Sequence, residues 1–173
     1  MSIQKTARTH AGINKYNGPW DDAAKLHLLR RTLFGATFRD LKYLENKNLS
    51  DAINEILDDS VSLPSPPLNY YQNDNNNDPN VPLGKTWVND TFGGQFNSQR
   101  RNSWAWDWIG NCINQNFNIR EKMTLFWHNH FATESSIFAY AYFGFEHTKL
   151  LRENCLGDFK GLVKRDEIGI MNQ

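Results

Sequence analysis

Apolar residues along this chain recur three and four positions apart, and no segment alternates convincingly at every second position. That periodicity predicts helices rather than strands. Between Asp21 and Leu33, the residues Ala23, Leu26, Leu29 and Leu33 form one stripe, and Asp21 or Asp22 is placed to cap it. Phe34-Gly35-Ala36-Thr37 interrupts the stripe, with Gly35 free to take a left-handed backbone. Thr37 followed by Asp40 resembles a capping box with a shortened acid, opening a second helix through Leu41 and Leu44. Ser50 is the expected cap of a third helix, whose buried face is Ala52, Ile53, Ile56 and Leu57.

The pattern lapses over residues 60–98. Ser65-Pro66-Pro67 and the run Asn73 to Asn80 suit no regular element, so a long solvated loop is expected, mobile and the preferred site of nicking between Tyr71 and Pro82. Asp74, Asn76 and Asp78 copy the first ligand positions of a calcium loop. Pro79 and Lys85 stand where that loop needs Gly and Glu, so no calcium site is expected. Helical spacing resumes near Ser98, with Trp104, Trp108 and Cys112 four apart and Trp106 pointing elsewhere.

Asn118-Ile119-Arg120-Glu121 then opens another helix. Its expected buried stripe is Ile119, Met123, Phe126, Trp127 and His130, with His128 more exposed than His130. The ring-rich, uncharged residues 135–145 are too few to span a bilayer and read as a packed connector. A helix from Glu146 to Cys155 carries His147, Leu150 and Leu151 on one face. Asp158 caps a further helix through Phe159, Leu162 and Val163. The fold class is all-α: a multi-helix, bundle-like array with one long Asn/Pro-rich loop. The chain divides into a polar arm (1–20), a helical domain (21–164, with the loop insertion 60–98) and a divergent tail (165–173).

Composition narrows the function. The 173 residues carry 19 Lys plus Arg against 19 Asp plus Glu. A neutral balance argues against a general nucleic-acid or anionic-membrane binder. No apolar run approaches the ~18 residues of a membrane-spanning helix. The first 20 residues lack the apolar stretch of a secretory signal, and the Arg30-Arg31 pair lies inside a helix pattern with no apolar region after it, unlike a twin-arginine signal, so the chain reads as cytoplasmic. Cys112 and Cys155 show no Cys-x-x-Cys spacing and are expected as structural thiols.

Candidate chemistry centres on His128, His130 and His147, the candidate metal ligands. His128 and His130, two apart, project about 200° from each other on a helix, which is poor spacing for a shared metal. His130 and His147 lie on apolar stripes, where core histidines are usual. No cofactor is expected. His128, sharing a polar side with Glu121 and Thr124, is a candidate base. Arg30 and Arg31, on one ridge with His27, are expected to pair with Glu121 and fix a helix crossing, or else to hold an anion. Trp104, Trp106, Trp108 and Trp127 offer either core filling or a stacking platform for a sugar ring. No phosphate loop, nucleophile elbow or kinase motif occurs.

The run Arg120-Glu121-Lys122-Met123-Thr124-Leu125-Phe126-Trp127-His128-Asn129-His130-Phe131-Ala132-Thr133 resembles the signature of a bacterial family called domain of unknown function 1800. Leu28 to Thr37 resembles that family's opening helix and turn, and Leu150 to Phe159 its Leu-Gly-containing helix pair. Val81 to Asn89 resembles a feature of its Bacteroidetes members. The resemblance covers nearly the whole chain in order and implies no particular activity. It implies longer relatives, many of them exported and often encoded beside a sulfatase-like family. It therefore carries the expectation that this chain is the N-terminal portion of a larger domain. Apolar faces would then be exposed, chiefly at 135–145, and covered by a partner fragment or a second copy. Two functional classes stand open. One is an accessory or binding protein for envelope polysaccharide or a partner protein, with the long loop as contact surface. The other is a hydrolase-like enzyme using His128 with Glu121 or Glu134.

Overall fold

The computed structural model describes residues 14–73, 77–90, 94–131 and 140–171, with side chains as far as Arg165. Among these residues there are seven helices: α1 (Asp22–Thr32), α2 (Phe38–Tyr43), α3 (Leu49–Ile56), α4 (Asn97–Ile113), α5 (Arg120–His130), α6 (Ala141–Asn154) and α7 (Phe159–Met171). The only extended pairing described is an isolated antiparallel bridge between Leu68 and Thr86. The array is all-α, as the periodicity predicts.

Side-chain caps set the starts of α1, α2 and α3. Asp21 caps α1 by accepting from the Ala24 amide at 2.9 Å. In α2 the Thr37 hydroxyl accepts from the Asp40 amide at 3.2 Å, and the Asp40 carboxylate accepts from the Thr37 amide at 2.7 Å. The shortened capping box is therefore complete. Helix α3 begins earlier than expected, because Asn48 rather than Ser50 supplies the cap, accepting from the Asp51 amide at 2.9 Å. Its buried face narrows to Ala52 and Ile56, while Leu57 faces outward. Helix α1 ends in an extended Leu33, and positive φ falls at Gly84 and Gly94 rather than at Gly35.

Helix α6 packs against α4, α5 and α7. It starts five residues before Glu146, so 141–145 are helix instead of connector, with Ala141, Gly144 and Phe145 buried. Residues 132–139 lie outside the described chain. The α4–α6 crossing is close: a Cβ on Gly144 would stand 2.7 Å from the Trp104 ring. Helix α7 runs on to Met171, past the point where its stripe fades. Exposed apolar groups do not gather at 140–145, where only Tyr140 among the large rings is exposed. They gather on α4 (Trp106, Ile109, Ile113) and around Phe34, Phe38 and Tyr43.

Two small cores stand out among the described residues. Leu29, Leu33, Leu44 and Ala52 join α1, α2 and α3, with Trp20 and Phe117 against them. Val81, Trp87, Ala141 and Phe145 join the long loop to α6, with Tyr71 and Trp104 alongside. Among its described residues the loop has no regular element beyond the bridge, yet they are packed rather than merely solvated. Asn69 is fully buried, donating to the Val81 carbonyl at 2.6 Å and from its own amide to the Lys85 carbonyl at 2.8 Å. Gly84, at φ 76°, closes the turn by donating to the Asn69 carbonyl at 2.8 Å. The Trp87 indole donates to Ser103, which in turn donates to the Leu68 carbonyl at 2.7 Å.

Helix α5 corrects the expected stripe. Its buried residues are Arg120, Glu121 and Thr124. Phe126 is 54% exposed, His130 is exposed, and His128 is half-buried. The order expected of the two histidines is reversed. Periodicity ranks a carboxylate and a guanidinium as surface groups; once paired with each other they need no water and take the inner face.

Candidate functional site

Three arginines hold the interior. Arg152 on α6 grips Glu121 on α5 in a two-pronged pair, Nε donating to Oε1 at 2.6 Å and Nη2 to Oε2 at 3.1 Å. Both residues are at most 7% exposed. Glu121 therefore does pair with an arginine across a helix crossing, but not with Arg30 or Arg31, which are exposed at the end of α1. Arg120 pins the start of the loop through the carbonyls of Val61 and Asp59, at 2.8 and 2.7 Å, and the Asp59 carboxylate at 2.8 Å. Arg100 on α4 pins its far part, donating to Asp78 at 2.9 Å and to Asp90 at 2.5 Å.

Tyr71 donates to the same Asp78 carboxylate at 2.9 Å. Burial pushes Asp78 up, but bonds from Arg100 and Tyr71 outweigh it and hold the carboxyl below its ordinary range. Burial, reinforced by Asp78, pushes the Tyr71 phenol up to about 12. Asp78 is thus spent on Arg100; Asp74 and Asn76 lie outside the described residues.

The histidines divide. His128 meets the Trp108 ring edge-on at 4.8 Å between centroids, and the His147 ring lies 5.9 Å away. Burial, with His147 adding to it, lowers the His128 pKa, favouring neutral imidazole. His130 turns away against Trp127 and Phe131. Among the described residues no three His, Cys, Asp or Glu side chains converge as a metal site. Glu134 lies outside them. Cys155 is buried and Cys112 half-buried, both free; burial pushes the Cys112 thiol up to about 11.

The long loop and α4 enclose a cleft of about 850 Å³. One wall is Pro64, Ser65, Pro66 and Leu68 with Tyr70 and Tyr71; the other is Gln99, Asn102, Ser103, Trp106, Asp107 and Asn111. Tyr70 is 75% and Trp106 74% exposed. Asn111 donates to the Asp107 carboxylate at 3.0 Å, and burial raises the Asp107 pKa against the pull of Arg152. Two exposed rings, carboxamides and one carboxyl share a concavity anchored by Arg100 and Arg120.

The family described as Protein of unknown function (DUF1800) matches residues 27–167. The chain belongs to this family. Comparison with curated proteins and with solved structures finds no match for it. The matched span holds the Glu121–Arg152 pair, the loop and both walls of the cleft.

Sequence reasoning singled out Trp106 and Glu121 but missed Arg100, Tyr70 and Asp107. Extending the Trp104–Trp108–Cys112 ridge back one turn reaches Arg100, so its inward position was available from spacing. Nothing local in the sequence marks Tyr70, whose place depends on how the loop folds onto α4.

Proposed function

We propose that this domain is an accessory module that binds a saccharide chain in the cleft between the long loop and α4. One observation carries the reading: the Tyr70 and Trp106 rings, each about three-quarters exposed, border a concavity edged by Asn102, Asn111 and Asp107. A sugar ring has an apolar C–H face and a rim of hydroxyls. Exposed aromatic faces suit the first, and carboxamides and a carboxyl suit the second. A large ring held in water has no packing role to account for it.

The hydrolase-like reading draws less support. Glu121 is already gripped by Arg152, and His128 faces Trp108 and His147. Titration calorimetry with cello-, xylo- and chito-oligosaccharides tests the proposal. At least one series should bind with affinity rising with chain length, and Trp106→Ala or Tyr70→Ala should abolish the heat while leaving the melt unchanged. Absence of binding across the panel, or binding indifferent to both substitutions, would refute it.

A further inference from the structure

A second concavity, of about 1030 Å³, lies between the α1–α2 corner and the C-terminal half of α4. Its apolar lining is Leu33, Phe34, Tyr43, Ile109, Ile113 and Phe117. Ile109 and Ile113, one helical turn apart, are 55% and 75% exposed. Such a ridge beside a trough is the surface that receives another amphipathic helix.

The charges around it lean positive, Glu55 beside Tyr43 being paired with Lys47 at 2.7 Å. Arg39 and Lys42 line the rim and are exposed. The acid there, Asp40, is engaged in the α2 cap, accepting from the Thr37 amide and hydroxyl at 2.7 and 2.8 Å. At the Phe34 end, the Lys122 ammonium lies 5.9 Å from the ring centre and donates to the carbonyls of Arg30 and Leu33. Burial, and secondarily the neighbouring Arg31, lower the Lys122 pKa. In a chain with 19 basic and 19 acidic residues this surplus is local.

We infer that this trough docks an amphipathic helix of a partner protein whose apolar face is flanked by Glu and Asp. The apolar lining supplies burial, and the Arg39 and Lys42 side selects the acidic flanks and speeds encounter. The site is separate from the saccharide cleft and stands or falls without it.

The test uses a fluorescein-labelled 16-residue helical peptide with Leu at helical spacing and Glu on the flanks, and the same peptide with Lys replacing Glu. Fluorescence anisotropy should show binding of the Glu peptide, weakening with added salt, and at least about tenfold weaker binding of the Lys peptide. Arg39→Glu combined with Lys42→Glu should reverse the preference. Ile113→Asp, at an exposed position, should abolish binding without lowering the melt. Equal binding of both peptides, or of neither, would overturn the inference. So would sedimentation showing a dimer that Ile113→Asp dissociates, since the trough would then belong to a second copy.

Discussion

At the scale of single residues, the decisive groups are charged ones in unexpected places. A capping residue acts on neighbours three positions away, so Asp21 and the Thr37–Asp40 box are readable in the sequence. The partner of Glu121 is 31 positions away on another helix, and Arg30, Arg31 and Arg152 are indistinguishable by residue type alone. Arg30→Ala and Arg31→Ala should each shift stability by less than about 0.5 kcal/mol, since both side chains stand in water. A loss above about 2 kcal/mol in denaturant unfolding would mean that either arginine has a buried partner.

His128 gives a pH dependence of definite sign. Its folded pKa is lowered by burial and by His147, facing it from α6, while the group facing it from α4 is the uncharged Trp108. The unfolded chain therefore binds a proton that the folded chain resists. The stability contributed by the neutral imidazole is complete above the ordinary value of 6.5 and declines as pH falls from there toward the folded pKa. Melting temperatures should drop between about pH 7 and 5, and His128→Asn should flatten that part of the profile. An identical slope in the variant would remove His128 as its source.

At the scale of elements, helix existence and order follow from periodicity, while the orientation of α5 does not. Residues 119, 123, 126, 127 and 130 do share a face, but that face meets α7 through Trp127, whose ring stacks on Phe159 at 5.4 Å. The central face goes to the Glu121–Arg152 pair. Gly144 marks where α4 and α6 approach. In an exposed helix Gly→Ala stabilises by about 0.5–1 kcal/mol. Here the added methyl meets Trp104, itself stacked on Trp108 at 6.3 Å, and overpacking costs about 1–3 kcal/mol. Gly144→Ala should lower the denaturation midpoint; a raised midpoint would show that the crossing has slack.

The loop illustrates the other limit of sequence reasoning. Its lack of regular structure is plain from Asn and Pro content, whereas its attachment depends on Arg100 reaching Asp78 and Asp90. Arg100→Met should leave the helical circular dichroism intact and accelerate trypsin or chymotrypsin cleavage between residues 61 and 90. Cleavage at the wild-type rate would show that Asn69 and Trp87 hold the loop unaided.

For the whole molecule, buried arginines join the parts, and large rings such as Tyr70 and Trp106 are left on the surface. The family and the all-α class were legible in residue strings and spacing. The cleft was not, because its two walls come from a loop and a helix that only tertiary structure brings together. The most direct test compares the unfolding free energies of Arg152→Ala and Trp106→Ala. Removing Arg152 leaves Glu121 buried and unpaired, at a cost of about 3–5 kcal/mol. Removing Trp106 takes away a ring already in water and should change stability by less than about 0.5 kcal/mol. The reverse order, a costly Trp106 and a dispensable Arg152, would contradict the account.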